Sequence, residues 1–210
     1  GSTGGYSTHS TVSRKPPLAT AANNARVAAD GLSASTDATK CLTPPVTGLS
    51  LKREVKLEGS EVHLSLTLTN NDQTNGIEIG GLGFSMPMNQ MFTGRSLPQV
   101  AKACSFTEVY VGGDAGYVQV TRTTGEGPAL LALPLKGGSS TWRGFEGWRP
   151  LKQEDRANYD WMHEMLYEVV IHSKAYANAE WRSATSWAPP TAAVIPAGGS
   201  ATYGLRLILS

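Results

Sequence analysis

The sequence predicts an all-β fold, an antiparallel β-sandwich that carries one short helix. Its 210 residues include 23 glycines and 12 prolines but only 17% charged residues, a composition that favours short strands joined by turns over long helices. Apolar residues also alternate with polar ones along several segments, which is the pattern of a strand with one buried face. The clearest cases are Leu49, Leu51, Val55 and Leu57, then Val62, Leu64, Leu66 and Leu68, and finally Tyr203, Leu205, Leu207 and Leu209.

The chain is predicted to divide into an arm, residues 1–48, and a β-sandwich domain, residues 49–210. The arm is rich in serine, threonine, alanine and proline and shows little periodicity. It is therefore expected to run extended, with at most a short edge strand. The chain starts at Gly1 without a methionine or a signal peptide, which predicts that it is trimmed or is an internal piece of a longer protein.

Three local features are predicted within the sandwich domain. The glycines from Gly80 to Gly83 lie in a strand-like segment and predict a bulge or a close crossing of two backbones. The segment from Glu164 to His172 is rich in valine, isoleucine and tyrosine, which predicts a strand. The alanine-rich segment from Ser173 to Trp181 predicts the short helix, with Ser173 in the N-cap position.

Charge and hydropathy exclude two classes of partner. Eighteen basic and 17 acidic residues give a net charge of +1, and no stretch combines clustered lysine or arginine with aromatic residues, so nucleic acid is not expected as a partner. No apolar run is long enough to cross a membrane. The two cysteines, Cys41 and Cys104, are too far apart for a metal or redox motif and form either one disulfide or two buried thiols.

Motifs for catalysis and cofactor binding are incomplete. His163 and Glu164 begin like the zinc-binding H-E-x-x-H motif, but Tyr167 occupies the position of the second histidine. The glycine-rich segments are not followed by the lysine and helix that bind phosphate, and no serine lies in a G-x-S-x-G turn. The sequence therefore predicts no catalytic residue, no metal ligand and no cofactor in this chain.

Tryptophans and carboxylates concentrate in one part of the chain. All five tryptophans fall between Trp142 and Trp187. Indole rings stack on the apolar faces of sugar rings, and carboxylate and guanidinium groups bind sugar hydroxyls. The alternative, more common for any single tryptophan, is a place in the core or in a domain interface. The predicted substrate-binding residues are Glu146, Trp148, Arg149, Asp160, Trp161, Glu164 and Trp181.

Several motifs, taken in order, resemble a fungal and bacterial family of large secreted proteins of unassigned function that is classed with the six-hairpin glycosidases. The motifs are Ile77 to Phe84 with Pro87 to Asn89, Gly113 to Arg122, Gly125 to Leu131, and His172 to Ala177 with Glu180-Trp181. The resemblance implies a galactose-mutarotase-like super-β-sandwich that leads into an α/α barrel, and it implies that the catalytic acids lie in that barrel. It also implies an extracellular location.

Three functions follow as hypotheses. The first is a non-catalytic sandwich portion of a secreted, glycoside hydrolase-like enzyme, which packs on the helical barrel and lines its polysaccharide cleft. It predicts a sizeable exposed apolar patch on this chain. The second is an autonomous carbohydrate-binding module with a tryptophan-rich surface. The third is a complete small hydrolase that uses a carboxylate pair such as Glu146 and Glu164, and it ranks last because the sequence offers no independent reason to expect activity.

Overall fold

The structure is a computed structural model, and it describes residues 7–8, 26–42, 46–86, 88, 92, 94–112, 116–135, 144–150, 167–180 and 189–210. The strands of these residues, in chain order, are β1 Ser7–Thr8, β2 Arg26–Val27, β3 Ser33–Asp37, β4 Leu49–Glu58, β5 Glu61–Asn70, β6 Ile77–Ile79, β7 Gly81–Met86, β8 Ser105–Tyr110, β9 Tyr117–Arg122, β10 Leu130–Pro134, β11 Gly147–Pro150, β12 Tyr167–His172, β13 Ala193–Ile195 and β14 Ser200–Leu209. The helices within the described residues are α1 Leu97–Ala103 and α2 Lys174–Ala179, and one 3-10 turn there spans Thr39–Cys41. Strands dominate, which confirms the predicted all-β class.

The strands of the described ranges form two main sheets and a small ribbon. The larger sheet has the order β2-β3-β4-β5-β14-β10-β9-β8, and every pair in it is antiparallel. The smaller sheet has the order β1-β7-β12-β11, with one parallel pair between β1 and β7. β6 and β13 pair separately as an antiparallel ribbon. Non-neighbouring parts of the chain therefore meet in each sheet.

One hydrophobic core lies between the two sheets, so the predicted sandwich is confirmed. The larger sheet contributes Leu51, Leu68 and Tyr203, and the smaller sheet contributes Phe84 and Ile171, all of them fully buried. Strand alternation explains this arrangement, because every second side chain of a strand points to the same face. The alternation predicted from the sequence thus identifies the inner face of the larger sheet.

The β4–β5 hairpin has the register that this alternation requires. Leu51 pairs with Leu68 and Val55 pairs with Leu64, so the apolar residues of both strands share one face. The connecting turn contains Gly59 at a φ of 60°, a conformation that glycine adopts without steric cost. The two predicted strands and their turn are confirmed.

Part of the predicted arm belongs to the larger sheet. β3 pairs with β4 in antiparallel register, and β2 extends the sheet by one further strand. Ala38 and Leu42 are buried in the core. These described residues lie on the sandwich, while the proposed division at residue 48 stays a prediction.

The predicted short helix is present as α2, and the structure adds a second helix, α1. Ser173 occupies the N-cap of α2 as predicted. At the start of α1, the Ser96 backbone N–H donates to Gln99 Oε1 at 2.8 Å, which is one half of a capping box. Neither described helix is long and apolar enough to span a membrane.

Gly83 of β7 lies where two strands approach closely, as the glycine-rich segment predicts. A Cβ at this position would lie 2.9 Å from the Val169 carbonyl oxygen and 3.1 Å from Glu168 Cδ. We expect Gly83→Ala to lower the free energy of unfolding by about 1–2 kcal/mol, because the Val169 carbonyl is backbone and cannot rotate away and the buried Glu168 side chain has little room to move. Urea denaturation measures the change. Gly80→Ala is the control, since its Cβ would meet Ala175 Cβ at an ordinary 3.4 Å; an equal loss in both variants would contradict this explanation.

Candidate functional site

Glu146, the first of the predicted binding residues, connects three segments of the chain. It lies just before β11, and its Oε2 accepts hydrogen bonds from the Ser173 backbone N–H at 2.8 Å and the Ser173 hydroxyl at 2.5 Å. The same oxygen accepts from the Thr191 backbone N–H at 3.0 Å, and the Thr191 hydroxyl donates to Oε1. One carboxylate therefore holds the start of α2 and the segment before β13 against the smaller sheet.

The hydrogen bonds continue from Thr191 into the core through His172 and Tyr203. His172 Nδ1 lies 2.7 Å from Thr191 Oγ1, and its Nε2 lies 3.0 Å from the Tyr203 hydroxyl. Because the Thr191 hydroxyl uses its only hydrogen toward Glu146, it must accept from His172 Nδ1–H. Neutral His172 then accepts at Nε2, and Tyr203 donates to it. We call this chain of four side chains the Glu146–Tyr203 relay.

Burial sets the protonation states within the relay. His172 and Tyr203 are each only 1% exposed. Burial lowers the pKa of His172 to about 4 and raises the pKa of the Tyr203 phenol above its ordinary value, because desolvation disfavours the charged form of each. Both side chains are therefore neutral at pH 7, in agreement with the hydrogen-bond directions.

A second buried polar pair lies beside the relay. Glu168 on β12 is fully buried, and the Tyr176 hydroxyl of α2 donates to its Oε1 at 3.0 Å. β12 is buried on both faces, since Val169 and Ile171 point into the core while Glu168 points toward α2. The pair fixes α2 on the outer side of the smaller sheet.

These polar groups hold parts of the fold in place through their hydrogen bonds. A histidine and a tyrosine can act as base and acid in catalysis, but His172 and Tyr203 are closed off from solvent. A polysaccharide therefore has no access to them in this conformation. In the part of the chain that the structure describes, no three histidine, cysteine or acidic side chains come together as a metal site.

Residues 2–210 match the model of DUF5695, described as a family of unknown function. The chain belongs to the DUF5695 family. A search of curated proteins gave no match.

A solved structure described as a polysaccharide lyase resembles the DUF5695 chain in fold. The two share 10% sequence identity with a TM-score of 0.57, and the match covers 88% of this chain. It covers only 22% of the lyase, so this chain spans about a fifth of the length of that protein. At this identity the likeness concerns the fold alone.

The predicted binding residues of the DUF5695 chain are only partly within the described structure. Glu146 forms the internal hydrogen bonds given above, and Trp148 is 48% exposed on β11, the last strand of the smaller sheet. Trp148 pairs with Val169, a core residue, and therefore lies at the rim of the space between the sheets. The backbone of Arg149 belongs to β11. The remaining predicted residues lie outside the described residues, and they are Asp160, Trp161, Glu164 and Trp181.

Two further surfaces of the DUF5695 chain were not predicted residue by residue. One is the end of the larger sheet where its inner face continues beyond the core, with Val55, Leu57 and Leu209 exposed. The other is the outer face of β8, where Phe106 and Tyr110 are exposed. A sequence signal existed for the second, because Phe106 and Tyr110 flank Glu108 at the two-residue spacing of one strand face.

Proposed function

We propose that this chain is the non-catalytic β-sandwich portion of a carbohydrate-active protein. In this proposal the sandwich packs on another domain of the same protein, an α/α barrel, and borders the cleft in which the polysaccharide lies. The catalytic carboxylates belong to the barrel. An extracellular location is part of the same proposal and rests on the family resemblance.

The observation that carries the proposal is the uncovered apolar end of the larger sheet. We define this surface by the exposed Val55, Leu57 and Leu209 together with the half-buried Val62, Leu64 and Leu207 beside them. Leu64 and Leu207 also pack against the edge of the core. These residues share the face of Leu51 and Leu68, which are buried under the smaller sheet. Apart from Arg53, which lies on this face of β4 between Leu51 and Val55, the apolar alternation thus runs further along the strands than the smaller sheet covers.

An apolar sheet face of this kind is typical of an interface between domains. Polar residues would cost less on a face that water covers permanently. The lyase with a similar fold has about four-fifths of its chain outside the match, so a sandwich of this size accompanies a much larger partner region in that protein. Both points favour a second domain as the occupant of the uncovered apolar end.

The proposal predicts that charged residues introduced on this surface weaken domain association but leave the stability of the chain nearly unchanged. We expect Leu57→Glu with Leu209→Glu to change the free energy of unfolding of the isolated chain by only about 0.5 kcal/mol, because both side chains are already exposed. The same pair of changes is expected to weaken association with the remaining part of the protein, expressed separately, by about 100-fold or more, since two charges would be buried without partners. Isothermal titration calorimetry measures the association.

Leu97→Glu is the control for this experiment, because Leu97 is exposed on α1 and lies outside the uncovered apolar end. The control should associate as the unchanged chain does. A reading frame that stops directly after the codon for Ser210, with no helical region elsewhere, would contradict the proposal. So would a whole protein that cleaves no polysaccharide in a broad panel.

Direct binding of carbohydrate by this chain is the second candidate function. It is favoured by the exposed indole of Trp148 at the rim between the two sheets. An exposed indole offers a flat apolar surface to a sugar ring. The two functions are compatible if the rim faces the cleft of the barrel.

A further inference from the structure

The outer face of β8 and β9 carries a row of exposed aromatic and polar side chains. Phe106, Glu108 and Tyr110 of β8 are all exposed, whereas Thr107 and Val109 between them are half-buried and point inward. The facing residues of β9 are Thr121, Gln119 and Tyr117, in that order. These side chains share one face because pairing in register places facing residues on the same side of the sheet.

Two aromatic pairs stand at the ends of this row. The Tyr110 and Tyr117 rings are stacked with centroids 4.4 Å apart and an angle of 20° between their planes. At the other end Phe92 contacts Phe106, with centroids 5.6 Å apart. The two ends are four residues apart on β8, a distance of roughly 13 Å at the rise of a strand.

A carboxylate and a carboxamide occupy the middle of the row. Glu108 pairs in register with Gln119, so their side chains lie next to each other between the aromatic pairs. Together they offer acceptors and donors for hydrogen bonds at a place that water can reach. We call this surface, made of Phe92, Phe106, Glu108, Tyr110, Tyr117 and Gln119, the β8–β9 platform.

We propose that the β8–β9 platform binds a neutral oligosaccharide. Its aromatic ends offer exposed apolar ring surface to the C–H groups of sugar rings, and its polar middle offers hydrogen bonds to their hydroxyl groups. The carboxylate of Glu108 repels acidic sugars and so selects neutral ones. The inference rests on the proposed carbohydrate-active function and adds to it a site and a ligand class.

The exposure of the rings separates this role from a purely structural one. Cross-strand aromatic pairs stabilise sheets, but Phe106 and Tyr110 remain 49% and 45% exposed. The opposite face of β8 points to the core, and Val109 on that face packs against it. The centre of a protein–protein interface is typically a continuous apolar patch with few charged residues. This row instead has a carboxylate, that of Glu108, in its middle.

The test is a binding titration of the whole 210-residue chain with soluble neutral oligosaccharides and with oligouronates of matched length. We expect measurable binding of a neutral oligosaccharide and weaker binding of the oligouronates. Tyr110→Leu and Phe106→Ala should each weaken binding by about tenfold or more, while Tyr110→Phe, which keeps the ring, should retain it. Glu108→Gln should reduce the preference for neutral sugars.

Trp148→Ala separates this site from the rim of the sandwich. Loss of binding in Trp148→Ala with full binding in Phe106→Ala would overturn the platform and leave carbohydrate binding at the rim. Absence of binding to every oligosaccharide would also overturn the platform, whereas the proposed function would still be judged by the polysaccharide cleavage of the whole protein. Circular dichroism and urea denaturation of each variant show that it remains folded.

Discussion

Glu146→Ala is expected to lower the free energy of unfolding by about 3 kcal/mol, because it removes several charge-assisted hydrogen bonds. The loss is smaller than the sum of the single bonds, since bonds that share one carboxylate do not contribute additively. The carboxylate accepts from both donors of Ser173 and both donors of Thr191. Ser173 is fully buried, so its donors would lose their partner without gaining water. Urea denaturation of the unchanged and the variant chain measures the loss.

Glu146→Gln is the matched variant for this prediction. It keeps the size and one acceptor oxygen, but its amide group is itself a donor and faces other donors. We expect an intermediate loss of about 1–2 kcal/mol. Unchanged stability in both variants, with a loss of sugar binding instead, would contradict the structural role and return Glu146 to the ligand-binding role that the sequence indicates.

Acidification is expected to destabilise the fold through His172. Its pKa is about 4 in the folded chain against an ordinary value of 6.5, so the unfolded chain binds the proton more tightly. The contribution of His172 to stability is therefore complete above pH 6.5 and is lost as the pH falls toward 4. Linkage gives a loss of about 2 kcal/mol between about pH 7.5 and about pH 5, and about 3 kcal/mol in total.

The physical reason lies in the Glu146–Tyr203 relay. Protonation would place a hydrogen on His172 Nε2, where the Tyr203 hydroxyl already donates, and it would place a charge at a site that water does not reach. Urea denaturation across this pH range tests the prediction. His172→Gln is the comparison, because it does not titrate; a pH dependence as steep in the variant as in the unchanged chain would show that other groups cause it.

The local elements were predictable from the sequence where one physical signal dominates. β4 and β5 follow from apolar alternation, which only Arg53 interrupts, and α2 follows from alanine content with Ser173 at its N-cap. α1 was missed because a helix of seven residues is too short to show an apolar periodicity. Its sequence signal lies at its start, where Ser96 and Gln99 form a capping-box pattern and Pro98 stands in the first turn, a position that proline favours.

The predicted binding site shows what local sequence patterns do not determine. Trp148 is exposed, as a ligand-binding residue requires. Glu146 accepts hydrogen bonds from Ser173 and Thr191, which lie 27 and 45 residues away, and its predicted role in substrate binding stays a prediction. A carboxylate near tryptophans fits a sugar site and a hydrogen-bonded junction equally well, and only the path of the chain distinguishes them.

The sequence alone determined the all-β class, the strands with alternating residues and the short helix after β12. These depend on periodicity and propensity, which act within a few residues. The tertiary structure decided which face of each strand is covered and where the inner apolar face extends beyond the smaller sheet. It also decided which polar side chains form internal hydrogen bonds. Those outcomes depend on contacts between residues far apart in the chain, because sheet order and packing bring β12, β14 and the segment before β13 together.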